Sequence, residues 1–146
     1  MPDTPLRLGV VGTGYVGLTT GACFAHLGHH VVCGDIDQRK VDLLNAGHIP
    51  IVEEGLAEIV SSGRSAGRLD FVLGAEAAAE GADIVFLCVP TPQGEDGSAD
   101  LSYVEAAAAQ GVPRDLPARL HLQGGHGLHR CRDRAGHARL ARVPHH

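Results

Sequence analysis

The sequence predicts an α/β fold: a parallel sheet with helices on both faces, incomplete, followed by an irregular C-terminal tail. Three observations predict it. The stretches from Leu6 to Val11 and from Ile84 to Val89 are apolar without polar alternation, as in strands buried on both faces. Segments of helical spacing separate the strand-like stretches, and regular alternation of the two is the pattern of a parallel sheet with crossover helices. The first strand also runs without a linker into a glycine-rich turn, Gly12 to Gly17, and then into a helix.

The elements follow in order. After the turn, Val16, Leu18, Ala22, Cys23, Ala25 and Leu27 carry a helix that stops at Gly28, a residue suited to a helix end. Val31-Val32-Cys33-Gly34 reads as a second strand ending at Asp35. Asp37 can cap the next helix, which spaces Val41, Leu43 and Leu44 along one side and stops at Gly47. Pro50 opens a new segment whose residues Leu56, Ile59 and Val60 form a helical apolar face. A short strand over Leu69–Leu73 and an alanine-rich helix near 75–80 come next. Asp83 precedes the clearest strand, which Pro90-Thr91-Pro92 ends; a polar loop follows, and Asp100 or Ser102 can cap a helix through Ala109.

A chain of 146 residues is one domain by size. The net charge of −5 conceals an asymmetry: residues 1–113 carry five Lys/Arg against fifteen Asp/Glu, and residues 114–146 carry seven Arg against two Asp. No stretch approaches the ~20 apolar residues that span a bilayer, so no membrane partner is expected. The N-terminus lacks the pattern of a signal peptide. Cys23, Cys33, Cys88 and Cys131 show no CxxC spacing and read as reduced, mostly buried thiols of a cytoplasmic protein.

The turn Gly12-Thr13-Gly14-Tyr15-Val16-Gly17 has the G-x-G-x-x-G spacing of a Rossmann-like dinucleotide site. Gly12 permits the tight turn, Gly14 admits a pyrophosphate close to the backbone, and Gly17 lets the helix pack on the strand. The helix start offers unpaired N–H groups and a positive dipole end to the phosphates. Asp35 then stands where an acidic residue would accept hydrogen bonds from two ribose hydroxyls and repel a 2′-phosphate, so NAD is expected over NADP. A glycine turn followed by a surface aspartate is the plainer alternative, and the strand–turn–helix–strand context argues against it.

At this point the residues resemble the UDP-glucose/GDP-mannose dehydrogenase family. The resemblance is carried by Gly12 through Gly17, Asp35-Ile36-Asp37, Ile49-Pro50-Ile51 with Glu53 to Leu56, Val89-Pro90-Thr91-Pro92, and the run from Gly94 through Glu105. Within the family it is most similar to the UDP-glucose 6-dehydrogenases, over roughly residues 6–109. The resemblance implies two successive NAD-dependent oxidations that take UDP-glucose to UDP-glucuronate. It places Gly12, Thr13, Gly14, Tyr15, Val16 and Gly17 at the pyrophosphate, Asp35 at the ribose, Lys40 near the adenosine, and Val89, Thr91 and Pro92 beside the cofactor. Thr91 reads equally as a loop threonine held between two prolines. The Glu53-Glu54 pair reads as helix-start carboxylates favoured by the dipole rather than as an acid/base pair, and the family often has proline at the position of Glu54.

The resemblance ends near Gln110. The family's Ser-Thr-Val-Pro-Val-like turn, its catalytic cysteine, its dimerisation helix and its sugar domain have no counterpart here, so no residue is assigned a catalytic role. The division expected is a truncated NAD-binding domain over 1–110 and an irregular Arg/His-rich tail over 111–146. Such a truncation is expected to leave an open, apolar parallel edge on the sheet. The bias of the tail toward Arg, His, Gly, Ala and Pro is what a GC-rich gene read out of frame is expected to give: codons can be written for Leu128 to Asp133 whose next frame reads Ser-Thr-Val-Ala-Val. His126, His129 and Cys131 lack the paired spacing of a metal site, and without interleaved aromatics the basic tail is weak support for nucleic acid. The parent enzyme is expected to be a homodimer that takes the UDP-sugar. A dehydrogenase of another nucleotide sugar (GDP-mannose, UDP-N-acetylmannosamine) and a non-catalytic NAD-binding module with a working basic tail remain as rivals.

Overall fold

The computed structural model describes residues 4–89, 95–97, 102, 106, 107, 109, 119–122, 128–132 and 138–142. Four strands, β1 (Arg7–Val11), β2 (His30–Asp35), β3 (Leu69–Leu73) and β4 (Ile84–Leu87), alternate with four helices, α1 (Tyr15–His26), α2 (Gln38–Asn45), α3 (Leu56–Ser65) and α4 (Ala75–Ala79). These strands pair in parallel in the order β3-β2-β1-β4. The chain builds outward from β1 to β3 and then crosses back to β4. The change of direction falls between β1 and β4, and ligands of open α/β sheets bind in the crevice at such a point.

Side chains along each strand alternate between two cores because successive Cβ atoms point to opposite faces. Leu8, Val10, Val31, Cys33, Leu69 and Phe71 face a core shared with Leu18, Ala22 and Ala25 of α1, Val41 and Leu44 of α2, and Leu56 and Val60 of α3. Val11, Val85 and Leu87 face the other, with Ala75, Ala78 and Ala79 of α4 and with Ala107. This is the double cover that unbroken apolar strands require. On the second face α4 docks very close. A Cβ on Gly9 would lie 2.5 Å from the Ala78 carbonyl oxygen, and one on Gly34 would lie 2.4 Å from that of Gly74.

The element ends follow local rules. The Asp37 carboxylate caps α2 by accepting from the Arg39 N–H at 2.9 Å. Gly28 and Gly47 follow α1 and α2 in the left-handed region, with φ of 101° and 86°. Ser102, Ala106, Ala107 and Ala109 are helical, in agreement with the helix expected there, while its Asp100 cap lies outside the described residues. No helix among the described residues is long and apolar enough to cross a membrane.

Two expectations need correction. The tail, read as irregular, carries three short strands, β5 (Arg119–Leu122), β6 (Leu128–Arg132) and β7 (Ala138–Arg142). β5 pairs in parallel with β4, so the sheet edge expected to be open is occupied, and β6 and β7 follow antiparallel. The physical reason is the edge itself: β4 presents a row of N–H and C=O groups that any extended segment can pair with. Strands this short also carry too few residues to establish a period. The cysteines were the second case. Cys33 is buried, but Cys88 is half-buried and Cys23 is exposed, because position 23 turns outward on α1.

Candidate dinucleotide site

The C-terminal ends of β1, β2 and β4 converge on the glycine-rich turn. Gly12 leaves β1 with φ of 102°, a conformation open to glycine, and donates its N–H to the Gly34 carbonyl at 2.7 Å. A Cβ there would meet the Cys88 carbonyl oxygen at 2.4 Å. Gly17 is closer still: its Cβ would fall 1.8 Å from the Gly12 carbonyl oxygen. Gly14 differs, since a Cβ there meets nothing within 4 Å. The first two glycine contacts are internal packing; the third leaves a space that faces outward. Such a cradle suits a pyrophosphate, which needs backbone N–H groups without side chains in the way.

The start of α1 supplies those groups. Gly14 is its N-cap and makes no side-chain cap bond. The first helical bond runs from the Leu18 N–H to the Gly14 carbonyl, so the N–H groups ahead of it have no partner within the helix. Tyr15 and Val16 occupy the exposed first turn.

Asp35, at the end of β2, is locked to this turn. One carboxylate oxygen, Oδ2, accepts from the Thr13 N–H at 2.9 Å and from the Thr13 hydroxyl at 2.7 Å. The other, Oδ1, accepts from the Asp37 N–H at 3.0 Å. Thr13 and Asp35 are the two buried polar residues among those described, 3% and 9% exposed. Burial pushes the Asp35 carboxyl upward, but the Asp37 N–H, the Thr13 hydroxyl and N–H, and the nearby Lys40 ammonium outweigh it. The carboxyl is held below the usual range and is ionised at neutral pH. Lys40 lies in the first turn of α2, on the same side as Asp35, as the sequence leads one to expect.

The structure therefore brings together Gly12, Thr13, Gly14, Tyr15, Val16, Gly17, Asp35 and Lys40. Val89 lies beyond the end of β4, half-buried against the second core. Thr91 and Pro92 lie outside the described residues. The Cys33 thiol is pushed far up by burial, with Cys88 adding to it, and burial takes the Cys88 thiol up to about 11. Both are protonated at neutral pH, which makes them poor nucleophiles.

Two contacts escaped the sequence reading. The Thr13–Asp35 clamp could have been suspected from a hydroxyl residue inside the turn. The other joins the Tyr15 hydroxyl to Glu53 Oε2 at 3.2 Å, so Glu53 serves the turn across 38 positions. No sequence pattern signals that pairing. The hydrogen bond to Glu53, then the charge of Glu53, then slight burial raise the Tyr15 phenol above its ordinary value. Glu53→Gln is expected to lower the tyrosinate transition of Tyr15, followed by absorbance during an alkaline titration. An unchanged transition would show that the contact does not persist in solution.

Comparison with known proteins agrees with this geometry. Residues 6–114 match the UDP-glucose/GDP-mannose dehydrogenase family, NAD binding domain. The UDP-glucose 6-dehydrogenase of Rhizobium meliloti is 47% identical over 106 residues, which are 72% of this chain and 24% of that protein. The Pseudomonas aeruginosa GDP-mannose 6-dehydrogenase is 37% identical over 105 residues, 72% of this chain and 24% of that one. Among solved structures, a UDP-glucose dehydrogenase from Pyrobaculum islandicum superposes with a TM-score of 0.70 at 45% identity, covering 74% of this chain and 26% of its own. The chain thus spans about a quarter of the length of these relatives. A glycine turn clamped by an acidic residue at the switch point of a parallel sheet, matched over residues 6–114, places this chain in the UDP-glucose/GDP-mannose dehydrogenase family as its NAD-binding domain.

Proposed function

We propose that this chain is the cofactor-holding part of a UDP-glucose 6-dehydrogenase, binding NAD without supplying the catalytic groups. The observation that carries the reading is the clamp of Asp35 on Thr13 beside the open cradle at Gly14. NAD supplies hydride acceptance when bound; the rest is the work of the chain. The N–H groups at the start of α1 hold the pyrophosphate, with Gly12 and Gly17 fixing the curvature that aims them. Asp35 would receive the ribose, Lys40 would lie by the adenosine, and Val89 would flank the cofactor past β4; for Thr91 and Pro92 a place beside the cofactor is supported by the resemblance alone. The ionised Asp35 opposes a 2′-phosphate by like charge, which favours NAD over NADP.

UDP-glucose is favoured over GDP-mannose by the higher identity to the UDP-glucose enzymes. The sugar-binding and dimerising parts of those longer relatives would lie beyond the matched residues, so the UDP-sugar and a second subunit are partners of the complete enzyme. Neither the Cys33 nor the Cys88 thiol, both held protonated by burial, is suited to serve as the family's catalytic cysteine. Calorimetric titration of the chain is expected to show NAD binding and an NADP affinity lower by about tenfold or more. Addition of UDP-glucose and NAD is expected to produce no NADH. Equal affinity for the two cofactors would overturn the role of Asp35, and steady NADH formation would overturn the non-catalytic reading.

A further inference from the structure

Gly14, where the cradle opens, has a side chain before it and a side chain after it, and each is drawn back by a carboxylate. The Thr13 hydroxyl donates to Asp35 Oδ2 at 2.7 Å, and Thr13 is 3% exposed, so burial holds it in place as well. The Tyr15 hydroxyl donates to Glu53 Oε2 at 3.2 Å, but Tyr15 is 55% exposed. Tyr15 stands in the first turn of α1, directly after the N-cap Gly14, beside the N–H groups that have no partner within the helix. Packing therefore does little to fix its ring, and the bond to Glu53 ties that ring down at its far end. Glu53 is a firm peg for this. Ile51 and Leu56, on either side of it, pack against the first core, and the Glu53 carbonyl accepts from the Leu56 N–H at 3.2 Å.

We infer that Glu53 is a positioning residue of the cofactor site that acts through Tyr15: by holding the phenol hydroxyl it keeps the aromatic ring off the Gly14 cradle. This rests on the reading of the site as an NAD site. Glu53 touches no cofactor in this role. Freed from its acceptor, the ring can change rotamer and enter the space a pyrophosphate needs. The apparent affinity for NAD then falls with the fraction of molecules whose cradle is clear.

The test is calorimetric titration of the whole chain with NAD. Glu53→Ala is expected to bind NAD about fivefold more weakly, the worth of one ordinary hydrogen bond. Glu53→Gln keeps an acceptor and is expected to bind within about twofold of the wild type. Tyr15→Phe breaks the same bond from the other side, so adding Glu53→Ala to it should weaken binding no further. A Glu53 that merely supported its own loop would weaken the Tyr15→Phe chain as much as the wild type, and that result overturns the inference. The pH profile is an independent readout. Ionisation of Tyr15 removes its O–H and sets a negative charge opposite Glu53. NAD affinity should therefore fall as pH rises through the Tyr15 value, which the hydrogen bond to Glu53 and then its charge hold above the ordinary one. That fall should move to lower pH in Glu53→Gln and be absent from Tyr15→Phe. A chain that binds NAD equally well with Glu53 or alanine at this position overturns this inference alone. A chain that binds no NAD overturns the cofactor reading, and the inference with it.

Discussion

Gly17→Ala is expected to destabilise the chain by about 3–5 kcal/mol, a large part of the roughly 5–15 kcal/mol that holds a domain folded. The added methyl would lie 1.8 Å from the Gly12 carbonyl oxygen and 3.2 Å from Cys88 Cβ. Neither neighbour has room to yield. Gly12 is tied to the Gly34 carbonyl at 2.7 Å, and Cys88 donates its N–H to the Val11 carbonyl at 2.8 Å. The helix would have to lift from the sheet, and Leu18 and Ala22, both fully buried, would lift with it. Urea unfolding followed by circular dichroism measures the change. Gly14→Ala is the control, because a methyl there meets nothing within 4 Å. That variant should unfold with the wild type and lose NAD affinity alone. If Gly17→Ala unfolds at the wild-type urea concentration, the close approach of helix and strand described above is incorrect.

Asp35→Ala is expected to cost about 2–4 kcal/mol of stability and to weaken NAD binding by about tenfold or more, since it strips three donors of their acceptor. The Thr13 N–H and hydroxyl are buried, and water reaches them poorly. The acid limb of the stability curve supplies a second readout. The folded-state carboxyl titrates below the ordinary value of about 3.9, so the unfolded chain takes up a proton first as pH falls. The contribution of Asp35 is complete above that ordinary value and is lost as pH drops through the depressed folded one. The alanine variant should show a shallower loss in that window. An identical acid limb in the two proteins would mean that the clamp contributes nothing to folding.

Most of the fold was legible because local and global signals agree. The unbroken apolar runs at β1 and β4 meant burial on both faces, and the two cores confirm it. Asp37, Gly28 and Gly47 marked helix ends by side-chain and backbone chemistry that works within a few residues. The tail strands were not legible, since their pairing is decided by an available edge rather than by their own residues. At the site, the glycine spacing and Asp35 could be read from the chain, because each answers to a backbone or charge requirement of its own. Of the Thr13 clamp the chain offered only a hydroxyl residue inside the turn, and the Tyr15–Glu53 bond left no signal, since it depends on where the fold carries residues distant in the chain. Glu53, read from its position as a helix-start carboxylate, also accepts a hydrogen bond from the Tyr15 hydroxyl of the turn.

The central place of β1 has a consequence for the order in which the chain becomes structured. Its pairing with β2 closes across one helix, whereas its pairing with β4 must await two further crossovers. Short-range pairings form early because less chain entropy is lost in closing them. As the chain emerges from the ribosome N-terminal end first, β1, β2 and the glycine turn between them can assemble while β4 is still being made. The Asp35 clamp joins only residues of that early half. The nucleotide-facing corner is therefore the portion of the molecule able to form first, with the remaining strands added to it as a template.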